Sequence, residues 1–493
     1  MHTRWCAIVV AVLFFLIAGP PATISQNGWI QLFDGRSLKG WKASENPSSF
    51  SVADGSIAAD GPRAHLFYEG EGRPADFINF EFAAEIMARP GANSGIYFHT
   101  GFQQEGFPSK GFEAQINNSA RELENYLELK KTGSLYGIRN QYKAIPRDND
   151  WFTMEIAVRG RRIQIAVNGI PLVDYVEEPE PALPSGRQGR RLSRGTFALQ
   201  CHDPGSKVFF RNLRVRPLPD NIEDPVQAAV ADDISRQILE LGSANFPLID
   251  FHVHLKGGLT LEEALALSRR LGVNYGIAVN CGLGFPIADD GAVSDFLKTM
   301  QGQPVFIGMQ AEGREWVRLF SPEAVARFDY VFTDAMTFTN KNGRRMRLWI
   351  PSEVEVGEKQ EFMEMLVERI VGIMDNEPID IYVNPTFLPA PIAAEYEALW
   401  TAERMNRVIA AAVRNDVAIE INNRYRLPSP AFIRMAKEAG VQFTIGTNNA
   451  GRDLGRIEYA LRMVKECGLT WKDMWMPKPD GRKPVQLRGL PRQ

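Results

Sequence analysis

Cysteine and stretches of like charge are both scarce in this sequence. Four cysteines among 493 residues are too few for a disulfide framework, so packing has to hold the fold together. Lys and Arg total 56 against 59 for Asp and Glu, a net charge of -3, and no basic stretch is long enough to follow a phosphate backbone. The composition therefore argues against nucleic acid as a partner, while 44% hydrophobic and 23% charged residues are typical of a folded globular protein.

A long hydrophobic run is also missing, which limits the role of the N-terminus. Arg4 precedes an apolar run at 7–18, and a Gly-Pro-Pro step with small residues follows it. This order predicts a secretory signal at 1–25. The run is shorter than the about 20 residues that cross a membrane, although an uncleaved, tilted anchor that borrows flanking residues is the alternative. We therefore expect a secreted or periplasmic protein with no membrane span after signal cleavage.

Alternation of apolar and polar residues dominates the chain from 28 to 217. The pattern is clear at 78–86 and at 162–167, as half-buried antiparallel strands require. Asn168 and Gly169 follow the second segment, and both tolerate the positive φ angles of a two-residue hairpin turn. Short strands broken by Gly, Asn and Pro, with almost no helical period, predict an all-β sandwich of the jelly-roll type over 28–217.

The periodicity changes beyond a Pro- and Asp-containing segment at 218–246, which we interpret as a linker. Short apolar runs then recur, with amphipathic helical patterns between most of them. The seven runs lie at 247–255, 275–281, 305–309, 330–338, 379–388, 417–422 and 441–446. They predict a parallel α/β, TIM-like barrel of seven strands over 247–476, followed by a surface tail at 477–493. Functional residues of such a barrel lie at the C-terminal ends of its strands.

Two histidines end the first predicted barrel strand. His252 and His254 share one face because side chains alternate along a strand, so both rings can bind one ion. The barrel has no other histidine, and the further candidate ligands are carboxylates at strand ends, Glu312, Asp334 and Glu420. These residues predict one divalent metal ion, either zinc, manganese or calcium, and no organic cofactor. The alternative is a pair of neutral, hydrogen-bonded histidines beside carboxylates that serve only as structural acceptors.

The barrel segment resembles the PHP (polymerase and histidinol phosphatase) superfamily, whose members are seven-stranded barrels with metal-dependent phosphoesterase activity. Besides the two histidines, the resemblance rests on the motifs at 312–313, 420–423, 445–448 and 453–456. Asn384, Asn448 and Ala450 depart from the family pattern, because the family places metal ligands there. Amides and alanine do not replace anionic or imidazole ligands, so the resemblance implies either a degenerate site with at most one ion or an inactive barrel.

Polar side chains beside glycine and aromatic residues concentrate in three segments of the sandwich. These segments lie at 93–99, 111–116 and 199–202. Period two places Glu113 and Gln115 on one strand face, and it places Gln200 and His202 together on another. Amides, a carboxylate and an imidazole with flanking aromatics suit a sugar, which offers hydroxyls to bond and apolar ring faces to stack. The same face also suits a lectin-like protein that binds a glycan without chemistry.

The order of motifs in the sandwich resembles the 3-keto-disaccharide hydrolase domain, formerly a domain of unknown function, which has a concanavalin-like jelly roll. The matching stretches lie at 32–35, 38–41, 93–96, 112–116, 132–137, 151, 167–169, 199–202 and 210–213. They follow one another in order through nearly all of 28–217. His99 is a departure, since many relatives carry an arginine after the Asn-Ser-Gly motif, and this leaves substrate choice open.

The resemblance implies chemistry on a sugar oxidised at C3. A ketone at C3 acidifies the C2 proton, so one carboxylate and one acid suffice to break the glycosidic bond. We predict Glu113 as base and His202 as acid, each contributing ~10²- to 10⁴-fold. The predicted substrate-binding residues are Gln115, Gln200, Tyr136, Asn93 and His99. Alternatively, Glu113 and His202 bind a divalent ion that stabilises the enediolate.

Three functions agree with these patterns. We favour an exported hydrolase or lyase that cleaves 3-keto-glycosides in the β-sandwich, with an oligosaccharide or oxidised glycoside as substrate. The alternative is a carbohydrate-binding sandwich fused to a single-metal, PHP-like hydrolase barrel. A non-enzymatic glycan-binding surface protein is the third.

Overall fold

The structure is a computed structural model, and it describes residues 28–491 apart from 71, 73, 74, 124, 182, 184, 185, 223–231, 341 and 342. The predicted signal at 1–25 lies outside the described residues, as does the middle of the predicted linker. Among the helices of the described part, none is long and apolar enough to cross a membrane.

The N-terminal region is built from short strands. They are β1 (Ile30–Gln31), β2 (Trp41–Ala43), β3 (Phe50–Ala53), β4 (Ser56–Ala59), β5 (Ala64–Tyr68), β6 (Phe80–Ala88), β7 (Ser94–Thr100), β8 (Phe112–Ile116), β9 (Glu122–Leu123), β10 (Tyr126–Leu127), β11 (Phe152–Arg159), β12 (Arg162–Val167), β13 (Ile170–Val176), β14 (Thr196–Cys201) and β15 (Val208–Pro217). This agrees with the predicted region of short antiparallel strands.

Two antiparallel sheets form a jelly-roll-like sandwich. One has the order β13-β12-β11-β6-β15-β4-β3 with β1 beside β15, and the other has the order β2-β5-β14-β7-β8. The alternating apolar residues face each other between the sheets and form a core rich in Phe, Ile and Val. The predicted hairpin turn is confirmed, since Asn168 and Gly169 join β12 to β13 with φ angles of 52° and 74°.

The C-terminal region contains a closed barrel of seven parallel strands. These strands are β16 (Ile249–Val253), β17 (Asn274–Cys281), β18 (Phe306–Ala311), β19 (Tyr330–Thr333), β22 (Ile381–Tyr382), β23 (Ala418–Asn422) and β24 (Phe443–Gly446), and a hairpin of β20 (Thr337–Thr339) and β21 (Arg345–Arg347) follows β19. Each barrel strand lies within or overlaps one of the seven predicted apolar runs. The runs at 330–338 and 379–388 are longer than the barrel strands that they contain, because the chain turns out of the barrel after Thr333 and Tyr382.

One or two helices lie in each of the six connections between barrel strands, and further helices precede β16 or follow β24. They are α1 (Asp233–Ser243), α2 (Leu261–Leu271), α3 (Asp290–Thr299), α4 (Trp316–Leu319), α5 (Pro322–Val325), α6 (Lys359–Asn376), α7 (Tyr396–Leu399), α8 (Ala402–Asn415), α9 (Pro430–Glu438), α10 (Glu458–Glu466) and α11 (Pro484–Arg488). Thr260 and Glu263 form the capping box expected at the start of α2. In the segment predicted as a tail, α11 buries Val485, and Lys483 donates to the carbonyl oxygens of Ala326 and Phe328 at 2.5 and 2.8 Å.

The sandwich packs on the N-terminal ends of the barrel strands. The Tyr142 backbone N–H donates to Asn274 Oδ1 at the start of β17 (2.9 Å), and its hydroxyl donates to the carbonyl of Phe246 before β16 (2.8 Å). Lys143 Nζ reaches the carbonyl of Val305 before β18 (2.8 Å). The C-terminal ends of the parallel strands therefore lie at the opposite end of the barrel, away from the sandwich.

Candidate active site in the sandwich

One face of the five-stranded sheet carries the polar residues that the sequence singled out. On β8, Glu113 and Gln115 point to this face, and they pair across the ladder with Tyr97 and Gly95 of β7. The intervening Ala114 belongs to the core between the sheets. Strand alternation therefore places a carboxylate and an amide side by side outside the core, as the period-two pattern predicts.

Gly95 makes room for the Glu113 side chain. A Cβ atom at this position would lie 2.5 Å from Glu113 Oε1 and 2.8 Å from its Cγ. The glycine of the Asn-Ser-Gly motif thus lets the carboxylate lie across the neighbouring strand.

The next strand, β14, brings an amide and an imidazole to the same face. Gln200 pairs with His65 of β5, and its Nε2 donates to the Tyr97 hydroxyl at 3.2 Å. Ser94 Oγ donates to the Gln200 carbonyl at 2.6 Å and ties β7 to β14. His202 follows the end of β14 and lines the same cavity as Gln200.

These side chains line a cavity of about 440 Å³, which is large enough for a sugar unit. Its lining residues are Asn93, Tyr97, Phe107, Pro108, Ser109, Glu113, Gln115, Glu128, Tyr136, Gly186, Arg187, Arg190, Gln200 and His202. Six of the seven residues predicted for the sandwich site therefore lie together, namely Glu113, His202, Gln115, Gln200, Tyr136 and Asn93. Gln115 Nε2 also donates to Asn93 Oδ1 at 2.8 Å.

His99 is the predicted site residue that does not line this cavity. Its φ angle is 53°, and its ring is buried. Nε2 is 2.8 Å from the carbonyl oxygen of Ile78, and Nδ1 accepts from the backbone N–H of Ser193 at 3.3 Å. Burial lowers the pKa of His99 to about 4, so the ring is neutral and serves as a bridge between backbone segments.

Several lining residues were not predicted as site residues. Glu128 accepts from Tyr136 Oη at 2.9 Å and from the hydroxyl of Tyr126. Arg190 lies over the Tyr97 ring, 5.4 Å from its centre, and Arg187 lies over Tyr136 at 5.2 Å. Glu128, Arg187 and Arg190 lie in loops, so strand periodicity could not predict that they belong to the site.

Burial is the main influence on Glu113. It raises the pKa of the carboxyl above its ordinary value, and the nearby Glu128 acts in the same direction. Arg190, a hydrogen bond with Tyr97 and the nearby His202 oppose this rise. Once deprotonated, a carboxylate of raised pKa is a stronger base than an exposed glutamate, which suits proton abstraction from carbon.

His202 is oriented by its neighbour in the chain. Its Nδ1 lies 2.9 Å from Asp203 Oδ2, so Nε2 is the ring nitrogen left for a ligand. Burial acts to raise the pKa of Asp203, but hydrogen bonds from Gly205, His202 and Ser206 together with Arg121 lower it to about 2. An ionised carboxylate therefore lies against Nδ1 of the imidazole and fixes the orientation of the ring.

The residues predicted as barrel metal ligands lie at the C-terminal ends of the strands, and most of their polar atoms are already engaged. His252 Nδ1 is 2.6 Å from Glu420 Oε1, and His254 Nδ1 is 3.1 Å from the Ala278 carbonyl. Glu312 accepts from Asn280 Nδ2 at 2.7 Å, while Asp334 accepts from Asn384 Nδ2 at 2.8 Å. His254, Glu312 and Asp334 line a polar cavity of about 240 Å³, of which His252 and Glu420 are not lining residues.

The donor set at this end of the barrel does not fit a metal centre. His252 Nε2 is buried without a hydrogen-bond partner, as a ligand atom would be. In the part of the chain that the structure describes, however, no three His, Cys, Asp or Glu side chains converge as a ligand group. Glu113 and His202 in the sandwich also belong to no such group among the described residues.

Residues 28–216 match the family model of the 3-keto-alpha-glucoside-1,2-lyase-like domain. The resemblance that the motifs indicated for the sandwich is thus confirmed over this range. The family model covers the whole cavity lining described above.

Among solved structures, two provisionally named glycosyl hydrolases from Parabacteroides distasonis ATCC 8503 are similar to this region. The first is 20% identical with a TM-score of 0.34, and the match covers 39% of this chain and 95% of that protein. The second is 23% identical with a TM-score of 0.31, and the match covers 38% of this chain and 99% of that protein. The carbohydrate-binding module CBM66 of Bacillus subtilis is 10% identical with a TM-score of 0.24, covering 36% and 94%. A search of curated proteins gives no match.

Proposed function

We propose that the protein cleaves 3-keto-glycosides in the sandwich cavity by eliminating the aglycone. The observation that carries this proposal is the pairing of one buried carboxylate, Glu113, with one Asp-oriented imidazole, His202, in a single sugar-sized cavity. The match of this region to a 3-keto-glucoside lyase-like family supports it. The predicted signal further supports an exported, secreted or periplasmic enzyme.

The proposed reaction uses both groups in one elimination. The Glu113 carboxylate removes the proton at C2, and the C2–H electrons form an enolate with the C3 ketone. When the ketone re-forms, these electrons form a C1=C2 double bond. The C1–O bond breaks as His202 gives a proton to the leaving oxygen. The products are an unsaturated keto sugar and a free alcohol, and addition of water across the double bond would complete net hydrolysis.

The remaining lining residues bind the sugar in this scheme. The amides of Gln115, Gln200 and Asn93 both donate and accept, as hydroxyl groups require. Arg190 lies near enough to Glu113 to lower its pKa, so it also favours the ionised base.

Two substitutions separate the proton abstraction from the bond cleavage. In D₂O, wild-type enzyme should exchange the C2 hydrogen of a 3-keto-disaccharide and release the alcohol, both of which NMR follows. Glu113→Gln should lose both activities by about 10³-fold, whereas His202→Asn should retain C2 exchange and lose release. Glu155→Gln, an exposed change on the large sheet, is the matched control and should behave as wild type. Full C2 exchange by Glu113→Gln would refute the assignment.

The pH profile tests the same base. Only the carboxylate of Glu113 accepts a proton, so kcat/KM should fall as the pH drops through its pKa. Because burial raises that pKa, the fall should begin at a higher pH than an exposed glutamate would give. An activity that stays constant down to pH 4 would contradict a buried carboxylate base.

For the barrel we propose a relationship to the PHP superfamily and its TIM-like fold with a degenerate centre. The engaged side chains of His252 and Glu420 and the amides at Asn384 and Asn448 support this view. They also make the alternative of a single-metal barrel hydrolase the weaker of the two functions.

A further inference from the structure

A single loop of the sandwich faces both the cavity and the barrel. Glu128 and Tyr136 line the cavity. Leu129 and Tyr142, from the same loop, are buried in the hydrophobic core of the barrel region, with 5% and 2% of their surface exposed. The cavity wall that this loop forms therefore packs against the barrel region.

The barrel region here includes α1 and the residues that lead into β16, since Ile238 and Phe246 are buried in its core. Asn245 of this region makes the central contact with the loop. It lies before β16, is 6% exposed and has a φ angle of 63°, a conformation that asparagine tolerates well. Its Nδ2 donates to the Leu127 carbonyl at 2.8 Å. Its Oδ1 accepts from Lys130 Nζ at 3.0 Å and from the Leu129 N–H at 3.3 Å. These hydrogen bonds hold the chain on both sides of Glu128.

Lys130 links Asn245 to the cavity wall. Its side chain is 1% exposed, and its Nζ is 3.4 Å from Glu128 Oε1 and 4.7 Å from the centre of the Tyr136 ring. Burial lowers the pKa of Lys130, and Glu128 opposes this effect. The Lys130 backbone N–H also donates to Glu128 Oε1 at 3.0 Å, while Glu128 Oε2 accepts from Tyr136. The orientation of Glu128 and Tyr136 thus depends on where Lys130 is held.

A second contact supports the same wall from α1. Asn140 Nδ2 donates to the Gly242 carbonyl at 3.0 Å, and Asn140 Oδ1 accepts from the Gly137 N–H at 2.9 Å. Gly137 directly follows Tyr136. The barrel region therefore supports the wall on either side of the Glu128–Tyr136 pair.

We propose that Asn245 is a positioning residue for the sandwich site, through which the barrel region completes the sugar-binding cavity. The inference rests on the proposed function, because Glu128 and Tyr136 would bind substrate hydroxyls. It adds that the barrel region contributes to substrate affinity without touching the substrate.

Two variants of the full chain test this role. Asn245→Gly tolerates the positive φ and deletes the amide, whereas Asn245→Asp keeps an acceptor for Lys130. With a 3-keto-disaccharide, Asn245→Gly should raise KM about tenfold and change kcat less than threefold, because a hydrogen bond to a charged group is lost at the binding wall. Asn245→Asp should restore KM to within about threefold of wild type.

Lys143→Met is the matched control. It removes a contact between the same loop and the barrel, to Val305 and Asp329, yet Lys143 does not line the cavity. Its KM should equal that of wild type. An unchanged KM in Asn245→Gly, or an equal rise in Lys143→Met, would overturn the proposal.

Hydrogen–deuterium exchange separates this inference from the proposed function, since it needs no turnover. Asn245→Gly should speed exchange of the amides at 127–137 at least tenfold, and Lys143→Met should leave them as in wild type. If wild type fails to turn over 3-keto-glycosides but these exchange rates differ as stated, the proposed function fails and the positioning role stands. Equal rates in all the variants would overturn the positioning role.

Discussion

The Glu113 side chain can take its position only because the neighbouring residue on β7 is Gly95. The Glu113 side chain crosses β7 at Gly95, which has no Cβ. A Cβ atom at Gly95 would lie within 3.1 Å of three atoms of Glu113. The buried carboxylate has little room to move aside without leaving Tyr97 and Arg190. The position of the Glu113 carboxylate therefore depends on the absence of a side chain at Gly95.

Gly95→Ala should cost activity more than stability. The new methyl group displaces the Glu113 carboxylate, so we expect kcat to fall at least 10²-fold, since small misplacements of a reacting group are costly. The free energy of unfolding should fall by about 1–3 kcal/mol, as overpacking does. Steady-state kinetics and urea unfolding measure the two effects. Gly101→Ala is the control, because a Cβ there meets nothing within 4 Å; equal activities of the two variants would contradict the steric account.

At the scale of elements, adjacent barrel strands end in two carboxylates that repel each other. Glu312 follows β18 and Asp334 follows β19. Burial raises the pKa of Glu312 to about 7, and repulsion from Asp334 contributes to the rise. Burial also raises the pKa of Asp334, against hydrogen bonds from Met336 and Asn384. These strand ends consequently destabilise the fold when both groups are charged.

Glu312→Gln should make the stability less dependent on pH. The folded pKa of Glu312 lies above its unfolded value, so the wild type loses stability as the pH rises from about 4.5 to about 7. The variant keeps an acceptor for Asn280 and carries no charge. Its free energy of unfolding should exceed that of wild type by on the order of 1–3 kcal/mol at pH 8, and the excess should vanish at pH 4. Denaturant unfolding at both pH values checks this, and an excess that is equal at both would count against charge burial as the cause.

Sequence periodicity predicted the strands well because each face of a sheet lies either against the core or against solvent. Alternation marked strands such as β6 and β12, and short apolar runs marked every barrel strand. It could not show where a strand stops inside an apolar run, because Thr337 and Phe338 are buried in a hairpin outside the barrel. Burial alone does not distinguish the two locations.

The site was predictable where strands or the family motifs supply its residues, and loop residues outside those motifs stayed hidden. Glu113 and Gln115 followed from period two, and Gln200 with His202 from the next motif. Loop residues such as Glu128 and Arg190 join the cavity through long-range folding, for which the sequence carries no period. His99 looked like a site residue because it follows the Asn-Ser-Gly motif, yet its left-handed backbone turns the ring to Ile78.

At the scale of the whole molecule, the sandwich cavity and the barrel cavity with His254 lie beyond opposite ends of the barrel. The sandwich rests on the N-terminal strand ends through Tyr142 and Lys143. The barrel cavity with His254 lies at the C-terminal strand ends. On the proposed function, a substrate bound in the sandwich cavity would therefore not reach His254, and the barrel region would act on it through the sandwich residues that it supports.

His254→Asn tests this separation. The new amide can still bond to the Ala278 carbonyl, so the strand end should keep its structure, while the imidazole is lost. Because the cavity with Glu113 and His202 lies beyond the opposite end of the barrel, kcat/KM for a 3-keto-disaccharide should stay within about twofold of wild type, less than the factor that 1 kcal/mol would produce. Glu113→Gln measured beside it supplies the inactive reference. A loss of tenfold or more in His254→Asn would place chemistry in the barrel, and the metal-dependent alternative would then become the better account.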